Sequence, residues 1–157
     1  NAIIVMDDAD LDLAINGIVW SAFGTSGQRC TAASRIITHQ SVSNDLTQML
    51  VERAGGMRLG YGLESTTDVG PIVSRSQLEN VHSYIEIGQQ EGAELAVGGR
   101  IATEGGLERG NFHEPTVFAN VKPSMRIAQE EIFGPVTAVI PVSDIDEAVR
   151  VANGVPY

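Results

Sequence analysis

Hydrophobic positions along this chain change period repeatedly, and each change marks an element. Ala2 to Met6 (AIIVM) is an unbroken apolar run, the pattern of a strand buried in a parallel sheet, closed by Asp7, Asp8 and Asp10. From there the spacing becomes helical. Leu11, Ala14, Ile15, Ile18, Val19 and Ala22 share one face, so Asp10 to Phe23 reads as an amphipathic helix. Arg35 to His39 reads as a second strand. Ser43 and Asn44 can start a helix that runs to Ala54 and stops at Gly55-Gly56. Gly60 to Pro71 is polar and glycine-bearing, a loop. Ser74 to Gly92 has the pattern of a long helix, with Leu78, Val81, Tyr84 and Ile85 turned inward. Glu94 to Val97 is a short strand ending at Gly98-Gly99, and Arg100 to Gly110 a surface loop. Phe112 to Val121 is rich in strand formers, although Pro115 argues against a central strand there. Ile127 to Phe133 holds a short helix or turn, Val136 to Val142 a strand, and Asp144 to Ala152 a helix with Asp146 and Glu147 in its first turn. Strands alternating with helices give an α/β domain with a mainly parallel sheet flanked by helices. No repeat, low-complexity tract or linker divides residues 1–157.

Composition narrows the function classes without choosing one. The chain has 157 residues, enough for a real core, and a formal net charge of −10, which argues against a nucleic-acid partner. No window approaches the roughly 18 consecutive apolar residues of a membrane span, and no basic flank with an apolar core marks a signal peptide. One cysteine and no secretory segment point to a reducing, cytoplasmic setting. Asp7, Asp8, Asp10 and Asp12 lack the calcium-loop pattern, so helix capping is the better account and no metal site is expected.

Candidate chemistry centres on that cysteine. Cys30 follows Phe23-Gly24-Thr25-Ser26-Gly27-Gln28-Arg29. Alone it makes neither a disulfide nor a metal site, which leaves a packed thiol or a nucleophile. Gly24 and Gly27 permit tight backbone geometry, Arg29 brings positive charge, and thiolates are favoured by such charge. Gln28 and Arg29 serve equally well as turn residues or substrate contacts. His39, His82 and His113 are paired with Cys30 by no sequence motif and read as structural or solvated.

The run from Phe23 to Arg35 (FGTSGQRCTAASR) resembles the active-site segment of the NAD(P)-dependent aldehyde dehydrogenase superfamily. So does Glu130-Glu131-Ile132-Phe133-Gly134-Pro135-Val136. Asn1 to Leu13, Gly70-Pro71-Ile72-Val73, the Gly92 to Gly99 region and Pro115-Thr116-Val117 follow in the same family order. The resemblance covers essentially the whole chain. It implies that Cys30 is the nucleophile, with its backbone N–H as an oxyanion donor, and that Glu131 and Phe133 hold the nicotinamide-side ribose of NAD or NADP. It implies a further polar cofactor contact at Gln77. Gly134-Pro135 would shape the turn that presents Phe133.

The resemblance also implies an aldehyde substrate, and Gly-Gln-Arg-Cys-Thr looks most like branches acting on semialdehydes or a broad range of aldehydes. The whole enzyme would be a homodimer or homotetramer. With no initiator Met and an end at Asn153-Gly154-Val155-Pro156-Tyr157, the chain is expected to be an excised part of the catalytic domain. A general-base glutamate, an oxyanion-hole amide and most of the cofactor-binding domain would then lie upstream, leaving the segment inactive alone. Two other classes stay open: a cysteine hydrolase or acyltransferase, which needs a histidine beside Cys30, and a non-catalytic interaction domain, which an unreactive, fully buried Cys30 in an intact longer chain would favour.

Overall fold

The computed structural model describes residues 1–156; Tyr157 lies outside the described residues. Strands β1 (Ala2–Val5), β2 (Arg35–His39), β3 (Glu94–Val97), β4 (Thr116–Ala119) and β5 (Val136–Val142) form one five-stranded sheet. Its order is β1-β2-β5-β4-β3. β1 with β2, β2 with β5, and β5 with β4 run parallel; β3 joins antiparallel at one edge.

Helices cover both faces. α1 (Leu11–Phe23) and α2 (Gln40–Gly55) pack Ile15, Ile18, Leu46 and Leu50 against Val5, Ile36, Val117 and Val139. α3 (Arg75–Gln90) and the single-turn α4 (Arg126–Gln129) pack Leu78, Val81, Ile85 and Ile127 against Phe118, Ala138 and Ile140. α5 (Ile145–Asn153) sets Ala148 against Ile37 and Val142. Neighbouring strand residues therefore feed opposite cores (Ile36 and Ile37, Val117 and Phe118, Val139 and Ile140), as a two-residue period requires. This is why the strands read as continuous apolar runs. Each fully buried leucine or isoleucine here contributes about 1.5–3 kcal/mol.

Helix starts follow side-chain chemistry. Asp10, Ser74 and Asp144 each accept a backbone N–H from three residues on, as N-caps do. α2 departs from the sequence expectation: it begins at Gln40, not at Ser43, because the His39 ring takes the cap position and accepts from the Ser41 N–H. The other ring nitrogen of His39 meets the Ser143 carbonyl at 2.9 Å. Pro115 lies just before β4 and removes no ladder bond, so β4 is an interior strand after all. Pro141 stands inside central β5, where the ladder to β4 has already ended at Ala138. Its missing donor therefore faces no β4 acceptor.

Among the described residues, no helix is long and apolar enough to cross a membrane, and no cluster of three or more metal-ligating side chains occurs.

Candidate active site

α1 ends in a reversal of unusual backbone. Thr25, Ser26 and Gly27 all hold positive φ, at 54°, 57° and 66°. Each non-glycine residue in that region costs about 1–2 kcal/mol, so surrounding contacts must hold it. The Ser26 hydroxyl donates to the Gly70 carbonyl at 2.8 Å. The Gln28 side chain bridges the same segment, accepting from Val73 N–H at 3.0 Å and donating to the Pro71 carbonyl at 3.4 Å. Gly70-Pro71-Ile72-Val73 is thus a brace for the turn before Cys30.

Arg29 braces the other side. It donates to the carbonyls of Trp20 and Ser21 at the C-terminal end of α1, at 3.1 and 3.4 Å. Its guanidinium lies 4.2 Å from the Trp20 ring centre, a cation–π contact. Positive charge is favoured at a helix C-terminus, so this is turn chemistry rather than a group held free for substrate.

Cys30 emerges from this frame exposed and without a disulfide. Its carbonyl accepts from the Asn1 side-chain amide, which ties the turn to the start of β1. Its backbone N–H donates to no acceptor among the described residues. Within the described residues the thiol is not packed. The histidines are engaged elsewhere: His39 with Ser41 and Ser143, and His82 with His113 at 3.4 Å. None of them hydrogen-bonds the Cys30 turn, and a hydrolase would need one there.

The segment Glu130 to Val136 lies directly behind this turn. A β-carbon built on Gly27 would fall 2.1 Å from the Gly134 carbonyl oxygen. Only glycine fits that approach. On the far side, a β-carbon at Gly134 would fall 2.4 Å from Val81 of α3. Gly27 and Gly134 were read from sequence as turn glycines; their contact with one another carried no signal there. A narrow cleft between the two turns is lined by Asn1, Gly27, Arg29, Glu131 and Phe133.

The adjacent glutamates have different fates. Glu130 takes two hydrogen bonds from Arg126, both at 2.9 Å, and one from the Tyr84 hydroxyl at 2.7 Å. Arg126 above all, and then Tyr84, pull its carboxyl down to about 2. Glu131 is exposed and accepts no hydrogen bond among the described residues. Its carboxylate can take a pair of vicinal hydroxyls. Phe133 is 38 % exposed and holds φ at 55°, a left-handed conformation that a bulky residue rarely adopts.

Gln77 reaches the same segment from α3. Its amide nitrogen donates to the carbonyls of Ile132 and Phe133. The structure therefore brings Cys30, Glu131, Phe133 and Gln77 into one region. A wider groove of about 630 Å³ lies elsewhere, lined by Met57, Arg58, Arg100 and Glu104 among others, and contains none of these four.

The aldehyde dehydrogenase family model matches residues 1–157. The chain belongs to this family. It is 43 % identical over 157 residues to an alpha-ketoglutaric semialdehyde dehydrogenase of Bacillus subtilis, covering 100 % of this chain and 32 % of that protein. An alpha-ketoglutarate semialdehyde dehydrogenase of Haloferax volcanii is 47 % identical over the same span, again 100 % of this chain and 32 % of the relative. Among solved structures, a betaine aldehyde dehydrogenase from Staphylococcus aureus in complex with NAD+ superposes with a TM-score of 0.98 at 38 % identity. That match covers 100 % of this chain and 31 % of the other. The chain thus spans about a third of the length of its aldehyde dehydrogenase relatives.

Proposed function

We propose that the full-length enzyme carrying this segment oxidises an aldehyde to a carboxylic acid with NAD or NADP, and that Cys30 is its nucleophile. Residues 1–157 are part of its catalytic domain, and most of the cofactor-binding domain lies outside them. The observation that carries this reading is the packing of two turns, one bearing an exposed thiol and the other an open carboxylate, across the contact of Gly27 with Gly134.

An aldehyde carbon has only hydride to lose, and hydride does not leave until a nucleophile has added. The Cys30 thiolate adds to that carbon and forms a thiohemiacetal. The Cys30 N–H, with no acceptor of its own, is free to donate to the developing oxyanion. Loss of hydride leaves an acyl thioester on Cys30, and water releases the carboxylic acid and restores the thiol. A nicotinamide cofactor, when bound, supplies the hydride acceptor. The residues present fit such a group: Glu131 offers an unpaired carboxylate for the ribose hydroxyls, and the exposed Phe133 ring offers a surface for the sugar or nicotinamide. The base that activates water and the side-chain amide of the oxyanion hole lie outside the segment, so the 157 residues alone are inactive.

Semialdehydes are the first substrate class to test, because relatives at 43 % and 47 % identity are named for one. The parent enzyme is a homodimer or homotetramer, which light scattering would report. The test of function compares full-length wild type with Cys30→Ala on alpha-ketoglutarate semialdehyde, betaine aldehyde and simple aliphatic aldehydes, following reduced-cofactor absorbance. Turnover in wild type, lost by about a thousandfold or more in the variant, is expected of a covalent nucleophile. Wild type inactive on every aldehyde with both cofactors would contradict the proposal.

A further inference from the structure

Two of the three histidines meet outside the cleft described above. His82 stands on α3, and His113 on the segment leading into β4. Neither lines the space between the Cys30 and Glu131 turns. The Nδ1 of His82 and the Nε2 of His113 lie 3.4 Å apart, with the ring planes inclined at 56°. The residues are 31 positions apart in sequence, so the fold and not a local motif brings them together.

His113 is held in one orientation. Its ring is buried. Its Nδ1 meets the Glu114 carbonyl at 2.9 Å, and a carbonyl only accepts, so this nitrogen carries the hydrogen. In the neutral ring that burial favours, Nε2 is then a bare lone pair turned toward His82. The backbone is pinned as well: His113 bridges Ile101, and the Glu114 N–H donates to the Arg100 carbonyl at 3.0 Å. His82 is half-buried, and its own Nε2 has no hydrogen-bond partner among the described residues.

A hydrogen bond between the rings accounts poorly for their approach. Well-formed bonds from N–H run about 2.7–3.2 Å, and this separation is longer. It matches the span of two nitrogens on one tetrahedral cation: metal–nitrogen bonds of about 2.0–2.1 Å place them about 3.3–3.4 Å apart. The contact of His113 Nδ1 with a backbone carbonyl is the outer hydrogen bond that ligating histidines make. Only the His82 hydrogen must sit on Nε2, which leaves its Nδ1 lone pair facing that of His113.

We propose that His82 Nδ1 and His113 Nε2 form a binding site for a divalent transition-metal cation such as Zn2+, with water completing the shell. Imidazole nitrogen suits Zn2+, Ni2+ and Cu2+, whereas Mg2+ and Ca2+ take oxygen ligands. Both rings bind as neutral imidazoles, so no proton leaves them and no electron moves. The bound cation ties α3 to the segment before β4, and a ligand that binds only the folded state stabilises it.

The test uses the full-length enzyme without an affinity tag, in a Cys30→Ala background so that the exposed thiol takes no metal. Calorimetric titration with Zn2+ compares this protein with the same protein carrying His82→Ala. Loss of a ligand costs at least as much as loss of an outer contact, about 10–100-fold in affinity. One equivalent of Zn2+ per subunit is therefore expected to vanish or weaken at least about tenfold in His82→Ala. Zn2+ should raise the thermal midpoint of the parent protein, Mg2+ should not, and the rise should be missing in His82→Ala. His113→Gln should behave alike; if the buried substitution fails to fold, the half-buried His82→Ala decides alone. Zn2+ binding with unchanged stoichiometry and affinity in His82→Ala would overturn the proposal, as would a parent protein that binds no Zn2+. Neither result depends on aldehyde turnover, so failure of this site and failure of the proposed function are separate outcomes.

Discussion

Gly27 and Gly134 meet backbone to backbone: a β-carbon on Gly27 would stand 2.1 Å from the Gly134 carbonyl oxygen and 3.0 Å from that of Ala22. Through this contact the turn that carries Cys30 is seated on the turn that carries Glu131 and Phe133. Residues more than a hundred positions apart in sequence are thereby fixed relative to one another without any side chain between them.

Gly27→Ala should therefore be costly on two counts. Its φ of 66° disfavours a side chain, and the space is filled by carbonyl oxygens that cannot move without the turns separating. A loss of about 2–4 kcal/mol is expected from left-handed strain and overpacking together. A shift in the urea midpoint of the full-length enzyme measures it. Gly62→Ala, where nothing lies within 4 Å and φ is not left-handed, is the control and should shift it little.

Glu130 predicts an acid-side dependence. Hydrogen bonds from Arg126, and then Tyr84, hold its carboxyl at about 2 against an ordinary 4.5. A depressed folded-state value means that stability is present above 4.5 and lost as pH falls toward 2. Thermal midpoints recorded across that window should fall more steeply for wild type than for Glu130→Gln. Parallel curves would show that the Arg126–Tyr84 clamp adds nothing.

His113 predicts a dependence at higher pH. It is 1 % exposed, its Nδ1 meets the Glu114 carbonyl at 2.9 Å, and its Nε2 faces His82. Burial lowers its pKa from the ordinary 6.5, and the nearby charge of His82 lowers it further, against an opposing hydrogen bond to Glu114. The folded state thus favours the neutral ring. Stability contributed by His113 is complete above 6.5 and declines as pH falls through the depressed value. In His113→Gln the thermal midpoint should lose part of its pH dependence below 6.5.

Much of the fold was legible in the chain. β1, β2 and β5 are continuous apolar runs because both faces of the sheet are covered, and Asp10, in the acidic run read as capping, does cap α1. The start of α2 was missed because an imidazole takes the cap, a role with no strong sequence preference. Pro115 misled because its place just outside β4 depends on strand register, which local pattern does not contain. Cys30, Glu131, Phe133 and Gln77 were singled out through motif resemblance, and the structure gathers them in one region. What the motifs could not convey was division of labour. That Glu130 is a structural clamp while its neighbour stays open depends on Arg126 and Tyr84, one of them on a different helix. That Gln77 spends its donors on Ile132 and Phe133 depends on tertiary packing of α3.

The central claim is that Cys30 carries the aldehyde carbon through oxidation, and acid quenching tests it most directly. Full-length enzyme would be mixed with aldehyde and oxidised cofactor, quenched in acid during turnover, digested and examined by mass spectrometry. The account predicts an acyl group on the peptide containing Cys30, appearing only when aldehyde and cofactor are both present, and absent from Cys30→Ala. Steady turnover with no acyl group on Cys30, and with activity retained in Cys30→Ala, would contradict it.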